Sequence, residues 1–197
     1  MIWKSRSYIK TCSHTLKKVF SQSAKKNYPI ANVLVDTYNK PKQFTFEANR
    51  SLEIPNAGGD SVISEMYSID KLQRSLNLMH SKCILEKEVR YWIDYKMVDY
   101  ILKSKNRTIG VSVTRSMSYN TLNFTKAFYL LNKKIKGIDV AKNCVVDEHN
   151  FDEKIVHIWC KNNEDADQLV KASKKINWDG LLWITVANFK EIYEKTR

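Results

Sequence analysis

Asp99 lies inside the apolar run KMVDYIL, and the next strand-like run, TIGVSVTR, carries Ser112 and Thr114 at i and i+2. Side chains two apart on a strand share a face. An acid on one strand beside two polar positions on its neighbour is a layout that metal-assisted phosphodiester cleavage can use. That chemistry needs two or more carboxylates to hold a hard cation, and a lysine or other base beside the attacking water. Glu65, on a preceding helix, and Glu86 or Glu88 are further acids within reach of such a site, so the metal set read here is Asp99, Glu65 and Glu88, with Mg²⁺ the expected ion if the chain is catalytic. The catalytic candidates are Asp99, Glu65, Ser112, Thr114 and Lys126 on the helix that follows. Ser112 and Thr114 offer only hydroxyls, and a hydroxyl supplies no negative charge to the ion. Arg115 points to the other face and is a poor base. Without catalysis, the same residues read as a phosphate-gripping cleft lined by Lys96, Arg115, Lys126, Lys133 and Lys134. The plainer reading of Asp99 is an acid paired with a lysine such as Lys96, or one that caps a turn.

The charge distribution favours an anionic partner. The net charge is +12, and residues 1–50 contribute +8 of it, ten Lys/Arg against two acids. Lys10, Lys17 and Lys18 fall largely off an apolar stripe of Ile9, Cys12, Leu16, Val19 and Phe20, the pattern of a basic amphipathic helix. Nucleic acid is the partner such an arm suggests. The same acid-free segment has the look of a mitochondrial targeting peptide, and the competing reading is a helix packed on the domain with a solvated lysine face. Four cysteines without C-x-x-C spacing argue against zinc and against a secreted disulfide scaffold, which points to an intracellular protein, cytoplasmic or nuclear. No apolar run reaches the roughly 18 residues of a membrane span. Neither a G-x-G-x-x-G, a P-loop nor a G-x-S-x-G motif occurs.

The elements that must position these residues follow from periodicity and punctuation. Residues 28–60 read as irregular, with short strands in ANVLVDTY and KQFTFEA, and EIPNAGGD as turn chemistry that sets a domain boundary near Gly59. Residues 1–59 are therefore a basic extension and 60–197 the compact α/β domain. A helix capped by Asp60 or Ser61 runs through SVISEMYSIDKLQRSLNLM. CILEKEVRYWI, KMVDYIL and TIGVSVTR form a three-stranded antiparallel meander. A helix from about Thr121 to Lys136 stops at Gly137. KIVHIWC is a buried strand with His157 and Trp159 on one face, His157 reading as a hydrogen-bonded core residue. NEDADQLVKASKKI is a helix, GLLWITVANF a strand, and FKEIYEKTR a closing turn or helix.

The order helix, three strands, helix, strand resembles the PD-(D/E)XK (restriction-endonuclease-like) core, α-β-β-β-α-β with a mixed central sheet. What that resemblance implies is a second-strand acid at Asp99, a first-helix acid at Glu65 and a third-strand pair at Ser112 and Thr114, where the family pattern is not met. A second resemblance is closer. SEMYSIDKL, KMVDY, IGVSVTRSM, FTKAFYLLNKKIKGI and VHIWC together resemble the uncharacterised family of AAC-rich mRNA clone proteins of slime moulds, with plant and large-virus relatives. It covers roughly residues 64–193, with Ser116, Ile135 and Val156 as conservative departures. It implies that Ser112, Thr114 and Arg115 are the family's ordinary residues. The expected function is a nucleic-acid-binding protein on a nuclease-like scaffold, a divergent or inactive nuclease; the alternative is a protein–protein interaction or structural module.

Overall fold

The computed structural model describes residues 32–54, 61–93, 95–117 and 122–194. The amphipathic segment with Lys10, Lys17 and Lys18 lies outside them.

The described residues form a mixed six-stranded sheet between two layers of helices. Its strands are β1 (Asn32–Thr37), β2 (Lys82–Leu85), β3 (Tyr100–Lys103), β4 (Thr108–Arg115), β5 (Glu153–Cys160) and β6 (Leu181–Val186). The helices are α1 (Phe46–Glu53), α2 (Val62–Ser75), α3 (Phe124–Cys144), α4 (Asn163–Ser173) and the single turn α5 (Lys190–Tyr193). The spatial order is β1-β6-β5-β4-β3-β2. β2, β3 and β4 are the antiparallel meander, and β4, β5, β6 and β1 run parallel to their neighbours. From α2 onward the order is helix, three strands, helix, strand.

Strand alternation divides the interior in two. Tyr100, Val111, Val113, Trp159 and Trp183 pack with α1, α2 and α5 on one face. Ile101, Val156, Ile158, Leu182 and Ile184 pack with α3 and α4 on the other. Residues ahead of Gly59 take part in this core. β1 pairs with β6 in full register, and Leu34 and Ala48 are buried against α2.

Three sequence expectations are corrected. KQFTFEA is not a strand. Thr45 accepts a hydrogen bond from the Ala48 amide at 3.4 Å and caps α1, and the period-2 phenylalanines divide between a packed Phe44 and a Phe46 exposed to solvent. The cap, with Glu47 and Arg50 one turn apart, outweighs the short alternation. Gly137 does not stop α3, which continues to Cys144 because Ile138 and Ala141 extend its buried stripe. Burying that turn offsets the roughly 1 kcal/mol that a mid-helix glycine costs. The first meander strand is also shorter than CILEKEVRYWI: it gives way to a 3₁₀ turn at Glu86–Glu88 and then a loop.

Gly110 on β4 is needed for packing, since a Cβ there would sit 2.5 Å from ring atoms of Phe151. Among the described residues no helix is long and apolar enough to cross a membrane.

Candidate functional site

Asp99 immediately precedes β3, and its amide donates to the Val111 carbonyl at 3.0 Å, which continues the β3–β4 ladder and sets it beside Ser112. Its Oδ2 accepts from Ser112 Oγ at 3.0 Å and from the Val113 amide at 2.6 Å. From above the sheet α3 lowers Lys134, whose Nζ stands 4.0 Å from the same oxygen. That ammonium donates to the Val113 carbonyl at 2.7 Å and to Ser112 Oγ at 3.4 Å. The cluster is one carboxylate, one hydroxyl and one ammonium, partly open to solvent and neutral overall.

The other expected members of the metal site lie elsewhere. Glu65 is on α2, which covers the opposite face of the sheet, and lines a shallow depression with Ser51, Ile54, Val62, Leu85, Glu86 and Lys87. Glu88 is held by Arg50 of α1 at 2.7 and 3.1 Å and accepts from the Leu85 amide at 2.8 Å. Those bonds, the Arg50 guanidinium first, hold its carboxyl below the usual range. Asp99, Glu65 and Glu88 therefore do not converge: strand alternation sends Ser112 and its partner acid towards α3, whereas α1 and α2 draw the two glutamates to the other layer. No group of three or more His, Cys, Asp or Glu is placed to hold a metal among the described residues. The donor set does not fit Mg²⁺. Asp99 Oδ2 already takes two hydrogen bonds and faces an ammonium, and among the described residues no second acid joins it.

Of the basic candidates, Lys96, Lys126 and Lys133 are exposed, and Lys96 Nζ lies 5.7 Å from the centre of the Tyr95 ring. Lys126 sits in the first turn of α3, where its amide donates to the capping Asn123 side chain at 2.9 Å. Thr114 is half-buried, on the Ser112 face of β4. Arg115 points to the other face and donates to the carbonyls of Ile192 and Glu194 at 3.2 and 3.4 Å, tying down the C-terminal turn. Lys134, read from sequence as a phosphate ligand, stands beside Asp99, where the sequence reading gave a lysine such as Lys96 as the pairing partner. Position 134 is next to the apolar Ile135 in sequence, so helical periodicity alone does not reveal a lysine directed at the sheet.

His157 is the hydrogen-bonded core residue expected from sequence, but sequence reasoning missed the polar assembly it belongs to, beneath α2. Tyr100 and Ser68 bond at 2.7 Å, Ser68 and His157 Nδ1 at 2.7 Å, His157 Nε2 and Thr185 at 3.0 Å, and Thr185 and Asp36 at 2.8 Å. Asp36 Oδ2 lies 2.6 Å from Lys71 Nζ. The direction of the chain follows from donor counting. The Asp36 carboxylate accepts, so Thr185 donates to it and must accept from His157 Nε2–H. Nδ1 then accepts from Ser68, which accepts from Tyr100. Burial, with the Lys71 ammonium adding to it, pushes His157 well below its usual range and keeps the ring neutral. Burial likewise pushes the Tyr100 phenol far up. Tyr100, Ser68, His157 and Thr185 are fully buried and only the Asp36 end is partly exposed, so the chain fixes the register of β3, β5, β6 and β1 against α2.

Fold and site together define a three-layer α/β protein whose sheet carries a carboxylate neutralised from within. It is similar to the AAC-rich mRNA clone AAC4 protein of Dictyostelium discoideum, 29% identical over 196 residues that cover 90% of this chain and 28% of the relative. This supports the resemblance drawn from VSVTR, LLNKK and HIWC, and the chain spans less than a third of that relative's length. No family model and no solved structure matches the chain.

Proposed function

We propose that the chain is a nucleic-acid-binding module on a PD-(D/E)XK-like scaffold that lacks the scaffold's metal chemistry. The observation that carries this reading is Lys134. Its ammonium lies 4.0 Å from Asp99 Oδ2, on the side of the sheet where a divalent ion would have to sit, and supplies positive charge without one. The topology from α2 to β5, an antiparallel meander followed by a helical crossover to a parallel strand, supports the scaffold. The net charge of +12 and the exposed Lys96, Lys126 and Lys133 support the partner. Phosphates would be gripped electrostatically, so affinity should fall steeply with salt.

The test is to incubate the full chain and Asp99→Ala with plasmid, linear single strands and RNA in Mg²⁺ or Mn²⁺, beside a binding titration at low and high salt. The expected result is no cleavage and salt-sensitive binding. Cleavage abolished by Asp99→Ala would make it a true nuclease with relocated metal ligands. Absence of binding at low salt would instead favour a protein-interaction module whose lysines are compositional.

A further inference from the structure

The loop between β2 and β3 is built differently from the rest of the surface. In the run WIDYKM, Trp92 is 71% exposed, Ile93 65%, Tyr95 68% and Met97 42%. A group of large apolar side chains this exposed marks a surface that meets a partner. The exposure does not come from a loosely held segment, because both ends of the loop are anchored. Tyr91 forms an isolated bridge with Val145, the Trp92 amide donates to the Cys144 carbonyl at 2.8 Å, and the Arg90 amide donates to His149 Nδ1 at 2.9 Å. At the return, the Val98 amide donates to the Tyr91 hydroxyl at 2.9 Å and closes the loop on itself. The next residue is Asp99. The loop thus projects from a fixed base beside the Asp99–Lys134 cluster.

Its chemistry selects the occupant. Two aromatic faces stand clear of the core with a cation beside them: Lys96 lies against the Tyr95 ring, and Arg90, two residues before Trp92, is exposed and 3.8 Å from Glu148. α3, against whose end the loop is anchored, holds five lysines and one aspartate. Aromatic faces beside cations are what unpaired bases use, the rings stacking and the lysines meeting phosphates; a duplex hides its base faces and offers only the backbone. We infer that this loop is a stacking platform for single-stranded nucleic acid, with Trp92 and Tyr95 taking unpaired bases. The inference rests on the nucleic-acid reading above and narrows it to unpaired strands.

The experiment uses the full chain, Trp92→Ala, Tyr95→Ala and the double variant, titrated at low salt with an oligo(dT), an oligo(U), a DNA duplex of equal length and vesicles rich in phosphatidylserine. Tryptophan emission is followed alongside anisotropy. Because the substituted side chains are exposed, thermal melts should match the parent and show that the variants fold. The expected result is preference for one or both single strands over the duplex, and about tenfold or greater loss of that binding for each substitution. Duplex binding should be unchanged, and the two single-strand arms tell DNA from RNA. Equal affinity for strands and duplex, or variants that bind strands normally, would overturn the platform while leaving general nucleic-acid binding intact. Binding to none of the nucleic acids would remove both readings. Vesicle binding lost in the same variants, without strand binding, would reassign the loop to a membrane surface.

Discussion

His157 offers a quantitative test of the buried hydrogen-bond chain. Its ring is fully buried, with Ser68 on Nδ1, Thr185 on Nε2 and the Lys71 ammonium within electrostatic reach. The folded state therefore keeps it neutral well below the ordinary histidine range, whereas the unfolded chain protonates it near its usual value of about 6.5. Below that pH the unfolded state binds more protons than the folded one, so stability present above about pH 6.5 is lost as pH falls. The slope is about 1.4 kcal/mol per pH unit while the folded ring stays neutral. Between about pH 7.5 and about pH 5 this one group should remove roughly 2 kcal/mol. The assay is urea unfolding at the two pH values for the parent chain and for His157→Gln. The glutamine amide can still accept from Ser68 and donate to Thr185 but does not titrate. It should lower stability at about pH 7.5 by roughly 1–3 kcal/mol through imperfect hydrogen bonding, and its further loss on acidification should be smaller than the parent's by the roughly 2 kcal/mol above. Equal acid sensitivity in the two proteins would refute the neutral-ring argument, and a ¹⁵N spectrum that places the His157 proton on Nδ1 would refute the direction assigned to the hydrogen-bond chain.

Three further outcomes are expected. Gly110→Ala should destabilise the fold by roughly 1–3 kcal/mol, read as a lowered Tm, because Phe151 cannot make room for the new methyl without moving. Asp165→Ala should cost about 2–3 kcal/mol in chemical denaturation, since it leaves the buried Ser116 hydroxyl and Leu122 amide without the acceptor they reach at 2.7 and 3.0 Å. Among the described cysteines, Cys144 should react first with a thiol reagent in the native state. Cys83 and Cys160 should react only on unfolding, since burial removes access and pushes both thiols upward.

Much of the architecture was legible because local pattern and tertiary packing agree. TIGVSVTR, KIVHIWC and GLLWITVANF are β-branched or aromatic runs that become β4, β5 and β6, and NEDADQLVKAS follows an asparagine whose side chain accepts from the Asp165 amide at 2.8 Å. The misread parts are those where long-range contacts decide. Thr45 caps α1 while its own amide donates to Asp70 on α2, 25 residues away. Gly137 stays helical because the far end of α3 still has a core to cover. At the site, Asp99 and Ser112 could be paired from strand order alone. Lys134 could not, because it enters from a helix whose rotation over the sheet is set by packing. Glu65 and Glu88 looked available because sequence does not show which side of the sheet a helix will cover. The Ser68–His157–Thr185–Asp36 chain joins four separate elements, and no spacing within one segment announces it.

The placement of β1 has a consequence for how the chain is made. Its sheet partner is β6, which brings Asp36 to Thr185 across 149 positions of sequence. On a ribosome adding about 5–20 residues per second, β1 leaves the tunnel many seconds before β6 is synthesised. The meander can close early, as its contacts are local. β1 must wait, unpaired at the edge that β6 will cover, until β6 is available. A chain that stops short of Val186 would leave that edge permanently open, and the emergence of β6 should be the moment at which the β6-facing edge of β1 is no longer free to pair with a neighbouring chain.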